Sequence, residues 1–157
     1  MDTGTICIVV SVLTLILIVK YLTRGNYVKA DSGVSYNVRK QPDEKYAANT
    51  LDKLRNLSIE ISDKMGNIRL ERKIDTVKFE ELYTGDDNII GVSVNKGDVL
   101  KLRLYNKNGT KIPFGEIYLT LLHELAHIIA VKYGHHQSWE NRFEYLKSTF
   151  PLGSMAI

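Results

Sequence analysis

Cysteine is almost missing from this chain of 157 residues, since Cys7 is the only one. A single cysteine leaves no disulfide within the chain, which excludes disulfide-stapled secreted domains and agrees with a reducing compartment. Internal repeats and low-complexity tracts are missing as well, which excludes repeat architectures.

A strong excess of charge of one sign is also lacking. The 21 basic and 18 acidic residues are interspersed and leave a net charge of only +3. Without a basic stripe, the sequence does not predict direct binding of nucleic acid. We interpret the densest group of basic residues as solvated surface: Lys53, Arg55, Arg69, Arg72 and Lys73.

The amino terminus carries the longest apolar run. Residues 3–22 contain one charged side chain, Lys20, and 20 residues of helix span about 30 Å, the thickness of a bilayer core. Because Asp2 is the only charged side chain before the run, the positive flank of a signal peptide is missing. The run therefore predicts an uncleaved transmembrane anchor.

Basic residues follow this run, namely Lys20, Arg24 and Lys29, and the positive-inside bias puts the rest of the chain in the cytoplasm. We expect a single-pass membrane protein that contacts the lipid bilayer through residues 3–22. The predicted division is an anchor at residues 1–22, a linker at 23–35 and one compact domain at 36–157.

The most informative pattern is His-Glu-x-x-His, from His123 to His127. On a helix, residues four apart project from nearly the same face, so both imidazoles reach one ion. Zinc binds imidazole nitrogen at about 2.0 Å, and a catalytic site has three protein ligands and a water. Glu124 follows the first ligand, where its carboxylate takes a proton from that water. The pattern predicts a zinc-dependent hydrolase.

The third ligand must come from outside the motif. Residues 117–131 are apolar on most sides, as in a helix within a core, and Gly134 ends this helix. A reversal at Gly134 would bring His135 back toward the metal. The alternatives are the adjacent His136 and Glu144, which lies farther along the chain.

The other patterns predict an α+β domain. Apolar residues at helical spacing predict a helix from Pro42 to Gly66, whereas residues 68–82 are ambiguous and fit a short helix and a connection. Residues 89–94 and 99–105 are rich in β-branched and apolar side chains, and Asn95-Lys96-Gly97-Asp98 between them predicts a hairpin.

Several of these features occur together in a known protein family. They are Val94-Asn95-Lys96-Gly97-Asp98, the zinc motif within residues 121–128, the Gly134-His135 pair and Trp139, four residues after that histidine. With them, residues 91–150 resemble the WLM and SprT-like minimal metallopeptidases, most closely those predicted in large DNA viruses. The resemblance favours His135 over His136 as the third ligand. It implies a zincin-like fold, in which the metal-binding helix packs on a small antiparallel sheet.

The resemblance also implies an activity, that of a zinc metalloendopeptidase with one Zn²⁺ ion held by His123, His127 and His135 and with Glu124 as the general base. The residues expected to bind the extended backbone of a protein or peptide substrate are Gly91, Val92, Ser93 and Val94. A strand that only closes the sheet is the alternative for this segment. The candidate donors to the tetrahedral intermediate are Tyr133, Tyr145 and His136.

Two other functions remain compatible with the motif. Some small metal-dependent nucleases have three histidines, but their second and third histidines are more closely spaced than His127 and His135. A catalytically inactive zinc-binding interaction module is the second alternative. Glu124 argues against it, because a structural zinc site has no use for a base and closes its fourth position with a protein ligand.

Overall fold

The computed structural model describes residues 26–86, 88–130 and 134–154, which form an α+β fold of five strands and four α-helices. The predicted α+β class is confirmed. The strands are β1 (Asn26–Lys29), β2 (Ser35–Val38), β3 (Lys78–Glu81), β4 (Gly91–Val94) and β5 (Val99–Leu102), and the helices are α1 (Glu44–Met65), α2 (Ile68–Ile74), α3 (Phe114–Ile129) and α4 (Gln137–Thr149).

The expected localisation as a single-pass membrane protein with a cytoplasmic domain is wrong. Among the described residues, no helix has both the length and the apolar character needed to cross a bilayer. Even α1, with 22 residues, carries charged side chains such as Lys53 and Arg55 along its length. The predicted anchor at residues 1–22 lies outside the described residues.

The first two strands form an antiparallel hairpin, with Asn26 opposite Val38 and Lys29 opposite Ser35. Gly33 in the turn has a φ of 89°, a left-handed conformation that favours glycine. Because β1 lies within residues 23–35, the sheet begins inside the segment predicted as a linker.

The long first helix, predicted from Pro42 to Gly66, is confirmed as α1. Its apolar stripe includes Ala47, Leu51 and Leu54, which are fully buried. The helix ends where Gly66 takes a left-handed φ of 57° and its N–H donates to the carbonyl of Ser62 at 3.1 Å. This helix supplies a large part of the core on which the sheet packs.

The ambiguous segment, residues 68–82, contains the short helix α2 and then the strand β3. The side chain of Asn67 caps α2 by accepting from the backbone N–H groups of Arg69 and Leu70, both at 3.1 Å. In β3 the burial alternates, with Phe79 and Glu81 inward. Sequence patterns had suggested the helix but only a connection after it.

The sheet is mixed rather than antiparallel as predicted, with the strand order β1-β2-β3-β5-β4. The β4–β5 pair is the predicted hairpin, but β3 runs parallel to both β2 and β5. The cause is the connection through α1 and α2, since a helical crossover returns the chain in the same direction. The arrangement leaves β4 at an edge of the described sheet.

Helix α3 lies at the centre of the molecule and contacts β4, β5, α1, α2 and α4. Leu121, Leu125 and Ile128 are fully buried in these contacts. The hydroxyl of Tyr118 donates to the carbonyl of Phe150 at 2.8 Å and ties α3 to the end of α4. A helix held on so many sides is a rigid support for the side chains on its remaining face.

Candidate metal centre

His123 and His127 project from the open face of α3, one helical turn apart, and both are half-buried. His135 follows Gly134, whose φ of 85° lies in the left-handed region. The Nε2 atom of His127 lies 3.2 Å from that of His123 and 3.2 Å from that of His135, and the third separation is 3.1 Å. The three nitrogens form a nearly equilateral triangle.

Hydrogen bonds among the imidazoles do not explain this triangle. Each Nε2 atom either carries a proton and donates, or carries a lone pair and accepts. Among three such atoms at least one pair is alike and repels. Three lone pairs directed at one cation satisfy all three nitrogens at once.

The triangle has the size that a tetrahedral metal requires. Nitrogens bound to zinc at about 2.0–2.1 Å in tetrahedral geometry lie about 3.3–3.4 Å apart, close to the separations observed. His123, His127 and His135 can therefore hold a metal ion together.

The protonation of the imidazoles agrees with this role. Burial and the neighbouring His135 lower the pKa of His123. Burial, followed by the electrostatic interaction with neighbouring basic groups, first among them His123, lowers the pKa of His127 to about 4. Both rings are neutral at neutral pH, which is the form that binds metal.

Helix α4 supplies an aromatic wall to the centre. The ring of Trp139 stacks on His127 at a centroid distance of 5.2 Å and meets His135 edge-on at 4.4 Å. Phe143 stacks on Trp139 at a centroid distance of 5.3 Å and contacts His123 at 5.5 Å. The wall limits the orientations of the imidazoles.

Glu124 points from α3 toward β4 and is only 4% exposed. Burial raises the pKa of Glu124 to about 7, although the backbone N–H of Ser93 donates to the carboxylate and opposes the rise. A carboxyl group with a pKa near neutrality both accepts and releases a proton readily. The position and the acidity of Glu124 suit a general base.

The edge strand β4 approaches Glu124 closely because of Gly91. A Cβ atom at Gly91 would lie 2.5 Å from Cγ2 of Thr120 and 2.8 Å from Oε1 of Glu124. Only glycine fits this contact without displacement of α3 side chains.

The register of β4 determines which backbone groups face the site. The N–H of Arg103 donates to the carbonyl of Ile90 at 2.9 Å. In an antiparallel pair every second residue is hydrogen-bonded to the partner strand, so Ile90 and every second residue after it bond to β5. Val92 and Val94 consequently pair with β5, whereas Gly91 and Ser93 direct their backbone groups away from β5. The bond from Ser93 to Glu124 agrees with this alternation.

The other candidate residues from the sequence do not belong to the nitrogen triangle. His136 contacts Oγ of Ser138 through Nδ1 at 3.0 Å, outside the nitrogen triangle. Glu144 is exposed and pairs with Lys147 at 2.8 Å, and Tyr145 is 47% exposed on α4. Tyr133 lies outside the described residues.

Lys96 is a site residue that sequence reasoning missed. It lines the cavity of about 290 Å³ next to the three histidines, together with residues of β4 and α3. Its Nζ donates to the carbonyl of Ala130 at 2.8 Å, and the residue is only 9% exposed. The sequence offered one signal, a lysine within the hairpin turn where a shorter polar residue is more usual.

Comparisons with known proteins agree with this arrangement. A family model described as the WLM domain matches residues 32–148. A structure of a Wss1 mutant from Saccharomyces cerevisiae has a TM-score of 0.61 and 20% identity, covering 77% of this chain and 87% of that chain. The structure of Wss1 from S. pombe has a TM-score of 0.54 and 22% identity, covering 75% and 92%. No curated protein matches the chain in sequence. At these identities the structures show a shared fold.

Proposed function

The chain belongs to the WLM domain family, and we propose that it is a zinc-dependent metallopeptidase of the His-Glu-x-x-His type. The observation that carries the proposal is the triangle of Nε2 atoms from His123, His127 and His135, with the buried carboxylate of Glu124 beside it. The three histidines match the number of protein ligands in a catalytic zinc site, whereas a structural site closes its fourth position with a further protein ligand.

In the proposed mechanism His123, His127 and His135 hold one zinc ion. When bound, zinc polarises the scissile carbonyl and lowers the pKa of a water molecule. Glu124 accepts a proton from the attacking water on a carboxylate oxygen and passes it to the leaving amine nitrogen. The N–H of Ser93 keeps that carboxylate oriented toward the cavity.

The substrate is proposed to be a protein or peptide in extended conformation, bound along β4. Gly91 and Ser93 direct backbone groups away from β5, as the addition of a further strand requires, and of these groups the N–H of Ser93 already donates to Glu124. Val92 and Val94 contribute to substrate binding indirectly, because their pairing with β5 holds β4 in place.

A second cavity, of about 450 Å³, lies against the same strand and helix. It is lined by Ile90, the residue before Gly91, and by Thr120, one helical turn before Glu124 on α3. We propose that it takes a substrate side chain next to the scissile bond.

The similarity to metallopeptidases of SprT-like type and of large DNA viruses stays a prediction.

The test is a comparison of the zinc-loaded full chain with its Glu124→Gln variant on an unfolded protein such as casein. Because general base catalysis contributes about 10²–10⁴-fold, we expect Glu124→Gln to lose cleavage by that factor and to keep one zinc ion. The matched control is Glu144→Gln, which changes an exposed carboxylate on α4 and should leave both properties intact.

Other outcomes separate the alternatives. Equal cleavage by the parent and Glu124→Gln would refute the mechanism. A parent chain that binds zinc but cleaves no protein would favour the interaction module. Cleavage of RNA by the parent, abolished by zinc chelation, would favour a nuclease.

A further inference from the structure

The turn of the β4–β5 hairpin is pressed against the carboxyl end of α3. Asn95 and Lys96 have φ values of 47° and 52°, and Gly97 has a φ of 100°. A Cβ atom at Gly97 would lie 2.9 Å from both Cδ1 and Cγ1 of Ile128. Left-handed conformations cost non-glycine residues about 1–2 kcal/mol each, so the packing of this turn holds them in place.

Lys96 makes a polar contact between the turn and the end of α3. Lysine side chains are rarely buried, yet Lys96 is only 9% exposed and its Nζ donates to the carbonyl of Ala130 at 2.8 Å. Ala130 ends α3, and the last carbonyls of a helix have no donor within the helix. A cation at this end also interacts favourably with the helix dipole.

The position of Ala130 matters for the metal centre. The chain leaves α3 at Ala130, whose ψ of 135° is extended, and five residues later it presents His135. The Nε2 atom of His135 must return to within 3.2 Å of that of His127. Only four residues separate Ala130 from His135, so the point at which the chain leaves α3 limits where the third ligand can lie.

We infer that Lys96 is a positioning residue for the metal centre: by holding the carbonyl of Ala130, it fixes where the chain leaves α3 and so sets the position of His135. The inference rests on the metal site of the proposed function and is independent of peptidase activity. It also links the hairpin that contains the proposed substrate strand to the geometry of the ligands.

The test measures metal binding by the full chain and by Lys96→Met, which keeps an unbranched apolar stem and loses the donor. Loss of a residue that orients a ligand typically costs about 10–100-fold in metal affinity, and we expect this increase in the zinc dissociation constant. Trp139, the only tryptophan and in contact with His127, provides a fluorescence signal for the titration.

Two further measurements define the effect. In the cobalt-substituted protein, visible absorption should weaken in Lys96→Met, since a tetrahedral set that loses a nitrogen gains water ligands. Lys96→Arg keeps a cationic donor and should recover most of the affinity. The matched control is Lys101→Met on β5, which removes a surface pair with Glu80 and should bind zinc as the parent does.

Two results would overturn the inference. Unchanged zinc affinity with reduced turnover in Lys96→Met would mean that Lys96 acts on the substrate. Unchanged zinc affinity with a lower unfolding temperature of the metal-free chain would mean that Lys96 only caps α3. If Lys96→Met does not fold, Lys96→Ala, which also removes the donor, is measured against the same outcomes. Failure to cleave any peptide would count against the proposed function alone.

Discussion

His135 and His136 are neighbours in the chain, yet at the scale of single residues they have different surroundings. The Nε2 atom of His135 lies within 3.1–3.2 Å of those of His123 and His127. His136 precedes α4 and contacts Ser138 instead. The left-handed Gly134 orients the chain so that the first of the two histidines faces the centre.

We therefore predict that His135→Ala loses zinc affinity by more than the roughly 10–100-fold that an orienting residue costs, because a ligand itself is removed. His136→Ala is the control and should change the affinity by less than about 10-fold, as expected for a side chain outside the coordinating set. Competition with a chelator, followed by the fluorescence of Trp139, measures both constants. A larger loss in His136→Ala than in His135→Ala would mean that His136 is the third ligand.

From the sequence, the proximity of two side chains could be predicted where the chain itself supplies the geometry, whereas their role as ligands stays a prediction. The period of a helix was enough to bring His123 and His127 together. The prediction that His135 joins them also required the turn at Gly134 and the family resemblance. Lys96 was missed, because its contact with Ala130 joins residues 34 positions apart and no local pattern encodes such a contact.

At the scale of elements, the close approach of β4 to α3 forms the proposed active site. It depends on Gly91, where a Cβ atom would meet Thr120 at 2.5 Å and Glu124 at 2.8 Å. The hairpin was predicted from its β-branched residues and its turn. Its contact with α3 was not predicted, because a strand pattern indicates the element and not the neighbour on which it packs.

Gly91→Ala should consequently lower peptide cleavage while leaving zinc binding nearly unchanged, since the added methyl group displaces Glu124 and not the histidines. Overpacking of this kind also costs about 1–3 kcal/mol of stability. Gly85→Ala is the control, because a Cβ atom there would meet nothing within 4 Å. Steady-state kinetics and urea unfolding of both variants check the result. Full activity in Gly91→Ala would show that the position of Glu124 does not depend on this contact.

At the scale of the whole molecule, the sheet differs from the prediction because strand direction is set by long connections. The crossover through α1 and α2 makes β3 parallel to β2, and β5 then joins β3 in the same direction. Hairpin signals in a sequence report only neighbouring antiparallel pairs. The α+β class and α1 were predictable from periodicity, whereas the strand order was not.

The candidate metal centre also joins different elements of the molecule. His123 and His127 belong to α3, and His135 lies just before α4. An ion that binds these three side chains binds the folded state, so zinc should stabilise the protein by about 2.7 kcal/mol at a concentration 100 times its dissociation constant.

For a chain of this size that free energy corresponds to a rise of about 5–11 °C in the unfolding temperature, because such chains shift by roughly 2–4 °C per kcal/mol. Calorimetry of the full chain with zinc and with excess chelator measures the shift. His135→Ala should show most of the rise abolished, and Ca²⁺, which prefers oxygen ligands, should not replace zinc. The same unfolding temperature with zinc and with chelator would contradict a metal centre that bridges α3 and the segment before α4.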